Sequence, residues 1–307
     1  MQPQVEERRT RKGEVVHLES LDACPGCKSK NVLDRYISDD VVLGSGPYRV
    51  QQCSDCTLAF LNPRPTEADV PTVNQTLEAL PTKGNFLGAV RRRRLAMRAK
   101  AYLAAEKSSG LRCLDVGSGD GFFTEALATL PQVEHAVACD YMDEAPIVFR
   151  ERANPKLSYQ HYDETFKEKE AYDVVFCRHM LEHVHDPTAW LAKLRGLLKP
   201  GGILVLEVPR WDSIWLDVFG GDYSHISPPA HINQYTERAL EQELKGFEIV
   251  RWGQTHGIVL GRSIASKLQK KYINVTAPLA LAAFPFEVLI ERLSGRWACL
   301  TCVARKV

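Results

Sequence analysis

From Leu111 onward, short apolar runs alternate with longer stretches of helical patterning. The runs are Arg112–Val116, His135–Cys139, Leu157–His161, Val174–Cys177, Ile203–Val208, Phe247–Trp252 and Ala298–Ala304. Such alternation predicts β-α-β units and a parallel sheet. Residues 67–110 read as a basic, helical connector ending in Ser108-Ser109-Gly110. Residues 13–66 carry short β-like stretches such as Tyr48–Gln52 and four paired cysteines. Residues 1–12 are charged with no apolar segment behind them, which predicts a mobile tail rather than a secretory signal. The expected organisation is therefore a tail (1–12), a cysteine module (13–66), a helical connector (67–110) and an α/β domain (111–307).

Composition narrows the function classes. The 307 residues include 39 basic and 38 acidic side chains, a net charge of +1, with 45% hydrophobic and 25% charged residues. These are the values of an ordinary soluble globular protein. A near-neutral chain is poorly suited to binding long nucleic acids through phosphates. No run of about 18 apolar residues exists, so no segment is expected to span a bilayer. A cytoplasmic setting is expected. The apolar segment Ala277–Ile290 contains two prolines. It could lie at a bilayer surface or line an apolar acceptor pocket; core packing or a dimer contact is the plainer reading. The oligomeric state does not follow from the sequence.

Cys24-Pro-Gly-Cys27 and Cys53-Ser-Asp-Cys56 give the spacing C-x2-C-x25-C-x2-C. Two cysteines three apart on a tight turn present both sulfurs to one side, and a second such turn completes a tetrahedron. Four thiolates suit Zn2+, and a closed set predicts a structural metal. Lys28 and Thr57 stand where many zinc knuckles carry glycine.

The passage Cys113-Leu-Asp-Val-Gly-Ser-Gly-Asp-Gly-Phe-Phe123 runs from an apolar strand through a glycine-rich turn into a helix expected near Phe122. Glycines let backbone approach a ligand at a strand's carboxyl end. Asp140 ends the next strand, nineteen residues beyond Gly121, where an acid can hold ribose hydroxyls. The third glycine of a dinucleotide fingerprint would fall at position 122, which is Phe122, and no phosphate loop of G-x-x-x-x-G-K-[ST] form is present. NAD and ATP are disfavoured.

With these motifs in this order, the chain resembles the class I S-adenosylmethionine-dependent methyltransferases. The resemblance covers roughly Leu111 to Val307 and implies a Rossmann-like seven-stranded sheet whose last strand, Ala298–Ala304, is antiparallel. It implies that Asp115, Gly117, Ser118, Gly119 and Gly121 surround the methionine moiety. Asp140 would hold the ribose, with Tyr141 and Met142 beside the adenine and Asp163 meeting its amino group. Tyr172–Cys177 resembles the fourth strand, and Cys177 joins the cofactor-contacting positions. Leu181–Pro187 is similar to the following helix, and Leu198–Gly202 to the turn into the fifth strand. The cysteine module, with its closing phrase Cys56–Pro65, is similar to the zinc ribbon of a bacterial branch of these enzymes. That branch implies a small-molecule acceptor, such as a natural product or sugar, with O- or N-methylation favoured.

A hydroxyl or acidic C–H acceptor calls for a general base, and His is the natural choice. His179 follows the fourth strand; His225 and His231 flank a proline-rich stretch that could form a lid. All three are candidates, although His225 and His231 could equally serve only the loop backbone. His183 reads as a structural residue. Arg91–Arg94 reads as a solvated helix face rather than a phosphate contact. Cys299 and Cys302, three apart in a strand, should face opposite sides as one core and one surface cysteine. Two other functions compete: an RNA base methyltransferase using the ribbon to bind RNA, and a non-catalytic methyltransferase-like binding subunit.

Overall fold

The computed structural model describes residues 5–40, 43–74, 86–104, 106, 108–151, 154–268 and 276–307. Residues 5–9, expected within a mobile tail, instead form β1 (Val5–Arg9), antiparallel to β2 (Val15–Glu19). Arg8 anchors the strand: it donates to the Pro47 carbonyl at 2.6 Å and lies over the Tyr48 ring at 4.7 Å. A cation paired with an aromatic face and a carbonyl explains why a charged terminus is ordered.

The cysteine module is an antiparallel sheet of β3 (Val32–Asp39), β4 (Pro47–Cys53) and β5 (Ala59–Leu61). The short β6 (Arg64–Pro65) returns to β2. The connector begins with α1 (Val70–Asn74) and continues with α2 (Phe86–Tyr102); residues 75–85 of the expected helical segment lie outside the described residues.

The α/β domain follows the predicted alternation. β7 (Leu111–Val116), α3 (Phe122–Ala128), β8 (Val133–Asp140), α4 (Ile147–Glu151), β9 (Leu157–His161) and α5 (Tyr162–Thr165) form its first half. β10 (Tyr172–Arg178), α6 (Pro187–Leu197), β11 (Leu198–Pro209), α7 (Ile214–Phe219), β12 (Asn233–Gln234) and α8 (Glu237–Glu243) follow. β13 (Phe247–Thr255), α9 (Leu260–Lys267), α10 (Thr276–Ser294) and β14 (Cys299–Lys306) close the chain. The central sheet runs β13-β14-β11-β10-β7-β8-β9. Its β7 to β11 strands are parallel, and β14 is antiparallel to both neighbours.

Alternate residues of each strand feed two cores, as a sheet covered on both faces requires. Cys113, Val174, Phe176 and Val205 pack against Tyr102 and Leu103 at the end of α2 and Phe123 and Leu127 of α3. Leu114, Val116, Val175, Cys177 and Leu206 face the other way. That second core also takes in Cys24, Cys53, Cys56, Leu58 and Phe60 of the cysteine module. Backbone pairing joins the two parts as well, because β12 lies antiparallel to β5 with Asn233 opposite Phe60.

Helix α10 has an inverted pattern. Its Glu287 and Glu291 are fully buried, while Phe286, Leu289, Ile290 and Leu293 are exposed. No helix among the described residues is long and apolar enough to cross a membrane.

Candidate functional site

The glycine turn after β7 is conformationally committed. Gly117, Gly119 and Gly121 have φ of +73°, +54° and +77°, values that disfavour any side chain. A Cβ on Gly117 would press the Met180 sulfur at 3.1 Å, and one on Gly121 would strike the Phe149 ring. Gly119 differs: nothing lies within 4 Å of where its Cβ would be. Its backbone therefore borders open space in which a ligand can approach. Asp140, at the carboxyl end of β8, closes back on the turn. Its Oδ2 accepts the Gly119 N–H and its Oδ1 the Tyr141 N–H, each at 2.8 Å. Burial raises its pKa despite these donors.

The other predicted cofactor residues fall into distinct settings. Asp115 is buried, accepts the Thr124 hydroxyl at 2.7 Å and is pushed up by burial to about 6, fastening β7 to α3. The Ser118 hydroxyl is buried without a partner. Tyr141 is half exposed, and the Met142 carbonyl accepts the Tyr159 hydroxyl at 2.5 Å. Asp163 is a surface carboxylate after β9; its N–H is capped by His161 Nδ1 at 3.3 Å. Cys177 is fully buried at the end of β10, its thiol pushed up to about 12 by desolvation.

A carboxylate that the sequence did not single out organises the next two strands. Glu207 in β11 is fully buried and accepts from Arg98 Nη1 at 2.8 Å, Thr255 Oγ1 at 3.2 Å, Arg178 Nε at 3.4 Å and the Tyr102 hydroxyl. Burial opposes its charge, but the two guanidiniums hold its pKa well below the carboxylate range. His179 joins it: the ring Nε2 lies 3.0 Å from Glu207 Oε1 and Nδ1 lies 3.5 Å from Glu182 Oε1. Desolvation works against the imidazolium, yet the two carboxylates raise His179 to about 9. Its φ of +50° is rare for a residue with a side chain, and its N–H donates to the Glu207 carbonyl at 2.7 Å.

The stretch Gly220–His231, expected as a lid, is packed rather than open. Tyr223, Ile226 and Ala230 are buried in one core with Trp211 and Trp215. His225 Nδ1 lies 3.2 Å from the Tyr223 hydroxyl and 3.3 Å from the Ala298 carbonyl. His231 Nδ1 lies 2.7 Å from the His225 carbonyl, and His183 Nδ1 lies 2.8 Å from the Ala230 carbonyl. Burial, with the neighbouring imidazoles, pushes His225 down to about 3 and His231 to about 4. The structure thus brings His231 to His183 and Glu182, while His225 supports the loop.

Two further readings change. Arg91–Arg94 is only in part a solvated face: Arg93 is exposed, while its neighbours have partners. Arg91 pairs with Asp120 of the glycine turn, and Arg94 and Arg98 both donate to the His256 carbonyl. Cys299 and Cys302 do face opposite sides, but both are buried, because the sheet is covered on both faces.

The four paired cysteines do converge. Their sulfurs lie within 4.8 Å of one another, with Cys24–Cys56 and Cys27–Cys53 each 3.5 Å apart. A tetrahedron with Zn–S bonds of ~2.3 Å has edges of about 3.8 Å, so the set fits a zinc ion. The two turns match. Lys28 N–H donates to Cys24 O and Thr57 N–H to Cys53 O, each at 3.0 Å. Lys28 and Thr57 have φ of +64° and +67°, the left-handed geometry for which glycine is the usual residue.

Comparison with known proteins points to one family. A family described as a methyltransferase domain matches residues 89–251, more than half of the chain. A ubiquinone biosynthesis O-methyltransferase of Rhodopseudomonas palustris (strain HaA2) is 30% identical over 150 residues, covering 46% of this chain and 59% of that protein. The enzyme of the same description from Xylella fastidiosa (strain M23) is 35% identical over 144 residues, 44% of this chain and 58% of that protein. This chain thus spans somewhat under three fifths of the length of these curated relatives. The fold matches a Burkholderia thailandensis 1,6-didemethyltoxoflavin-N1-methyltransferase solved with S-adenosylhomocysteine. There the TM-score is 0.50 at 15% identity, over 83% of this chain and 97% of that one. The glycine turn closed by Asp140 lies within the matched residues, and the chain belongs to this methyltransferase-domain family.

Proposed function

We propose that the protein methylates a hydroxyl oxygen of a small-molecule acceptor. The observation that carries this is the Gly119–Asp140 hydrogen bond, which sets an acid and an open glycine backbone side by side at the carboxyl ends of β7 and β8. In this reading Asp140 holds the ribose diol, the turn from Gly117 to Gly121 lies along the methionine moiety, and Tyr141 and Met142 flank the adenine. Asp163 is assigned to the adenine amino group from the surface rim, and Cys177 to the pocket floor. The relatives' description as O-methyltransferases supports an oxygen acceptor. The near-neutral charge speaks against the RNA alternative.

The sulfonium supplies the reactivity; the protein supplies alignment and exclusion of water. The acceptor oxygen forms the new C–O bond as the methyl–sulfur bond breaks, the electron pair leaves on sulfur, and the hydroxyl proton passes to solvent water. His179, His225 and His231 were candidates to take that proton. Nitrogens held near pKa 3 and 4 are inefficient bases at neutral pH, and an imidazole held at about 9 is already protonated. His179, which stays cationic beside the acceptor end of β10, is the better partner for an oxygen losing its proton. Transfer of labelled methyl from S-adenosylmethionine to a panel of phenols, alcohols and amines tests the reading. Methylation of the amines alone sinks the oxygen assignment.

We propose also that the cysteine set holds one structural zinc, and that the exposed face of α10 lies at a bilayer surface. Phe286, Leu289, Ile290 and Leu293 fall at i, i+3, i+4 and i+7, one apolar stripe on one side of a helix.

A further inference from the structure

Among the described residues, Glu182 has one ion-pair partner for its charge, His179. It sits in the single turn Leu181–His183 after β10, fully buried, and neither carboxylate oxygen accepts a hydrogen bond. Its one close ionisable contact outside the adjacent histidines is His179, at 3.5 Å. A buried carboxylate whose oxygens make no short hydrogen bond leaves its lone pairs available to a cation.

Two imidazoles converge on the same point. One carboxylate oxygen of Glu182 and one ring nitrogen each of His183 and His231 lie within 4.8 Å of one another. The two rings meet edge to face with centroids 4.8 Å apart. Both tautomers are set from behind. His183 Nδ1–H donates to the Ala230 carbonyl and His231 Nδ1–H to the His225 carbonyl, at 2.8 and 2.7 Å. Each Nε2 therefore keeps its lone pair, the arrangement that orients histidines ligating a metal. The rings are half-buried rather than sealed.

We infer that Glu182, His183 and His231 bind a divalent first-row metal ion, at a site separate from the four cysteines. Two imidazoles and one carboxylate suit zinc, cobalt, manganese or ferrous iron, and three protein ligands leave coordination positions open. The site adjoins Met180, whose side chain lies against Gly117 of the glycine turn. The second cluster of metal-ligating types, His179, Glu207 and Cys299, is not comparable, because Arg98 and Arg178 already neutralise Glu207. Only the identity of the group entering the open positions rests on the proposed methyl transfer: an oxygen acceptor, whose hydroxyl would be acidified there.

The test uses full-length protein with its cysteine site saturated by zinc, titrated with Co2+. One further equivalent should bind, with weak visible bands of nitrogen and oxygen ligation and no thiolate charge-transfer band. Glu182→Gln and His231→Ala should each weaken that binding at least tenfold. Glu182→Gln removes a buried charge, and its unfolding temperature and S-adenosylmethionine affinity confirm that it folds; if it does not, His231→Ala decides. No Co2+ beyond the cysteine site, or equal binding by the folded variant, overturns the site. Methyl transfer is read separately. Cobalt bound with no transfer to any acceptor refutes the functional reading and leaves the site standing. Transfer that survives chelation and Glu182→Gln, with no cobalt bound, refutes the site alone.

Discussion

The hydroxyl oxygens of Thr57 and Thr236 stand 2.5 Å apart. Thr57 occupies the left-handed position behind the second cysteine pair, and Thr236 is the N-cap of α8, accepting the Ala239 N–H at 3.1 Å. One contact thus ties the second cysteine turn to the start of a helix in the α/β domain. With β5 paired to β12 and three cysteines in the shared core, the module is a wall of the domain, not an appendage.

The consequence concerns metal. Protein purified without added metal should contain one zinc per chain by elemental analysis. Cys24→Ser should lose it and unfold in a single transition at lower temperature, because the cysteines and Leu240 share one core. A structural zinc contributes several kcal/mol, so a drop on the order of 10 °C is expected by calorimetry. Zinc far below one equivalent in the wild type would remove the site.

Asp140→Ala should weaken S-adenosylmethionine binding about ten- to a hundredfold, the worth of ~1.5–3 kcal/mol for a charge-assisted hydrogen bond. The same change frees the Gly119 N–H, so part of the loss comes from a looser turn. Asp140→Asn, which can still accept that N–H, should recover some affinity. Calorimetry that finds the alanine variant unchanged would exclude Asp140 from the cofactor site.

The sequence made the sheet legible for a simple reason. The five inner strands are buried on both faces and read as apolar runs, and all seven predicted runs, those of the edge strands β9 and β13 included, coincide with β7–β11, β13 and β14. The glycine turn and Asp140 were legible because their chemistry is local: a strand, a turn and one acid. Glu207, Arg98 and Glu182 were not. Each is a single charged residue in an unremarkable stretch, and its meaning comes from strands and a helix that meet only in three dimensions. The arginine run misled for the same reason, since its partners, Asp120 and His256, lie far along the chain. The N-terminal strand was missed because its order rests on Tyr48 and Pro47, not on any pattern of its own.

His225→Ala discriminates between two roles. If His225 is the general base, single-turnover methyl transfer should fall by about 10²–10⁴-fold. Its low pKa and its contacts with Tyr223 and Ala298 predict instead less than a tenfold loss, unchanged cofactor affinity and a lower unfolding temperature. A rate loss of a hundredfold or more in a folded variant would restore the base.

The apolar stripe of α10 predicts co-sedimentation with lipid vesicles. Replacing Phe286 and Leu293 by Glu should abolish it without lowering the unfolding temperature, because both side chains are exposed. Vesicle binding that is absent in the wild type, or unaltered in the variant, would refute the bilayer assignment.

Glu287 sets a pH dependence. Its Oε1 accepts the Leu260 N–H at 2.6 Å, so it caps α9 from α10, while Oε2 is buried with no partner. Burial outweighs the backbone donors and raises its pKa to about 7. A carboxyl group whose pKa is higher folded than unfolded favours the native state while protonated. Its contribution is full below the unfolded value near 4.5 and is lost as pH rises through about 7. Glu287→Gln keeps an acceptor for Leu260 and removes the titration. Denaturant unfolding of the two proteins side by side should therefore show the variant gaining on the wild type between about pH 4.5 and 7, then holding a constant advantage above pH 8. Parallel stability curves across that range would mean that Glu287 is solvated and not the buried cap described.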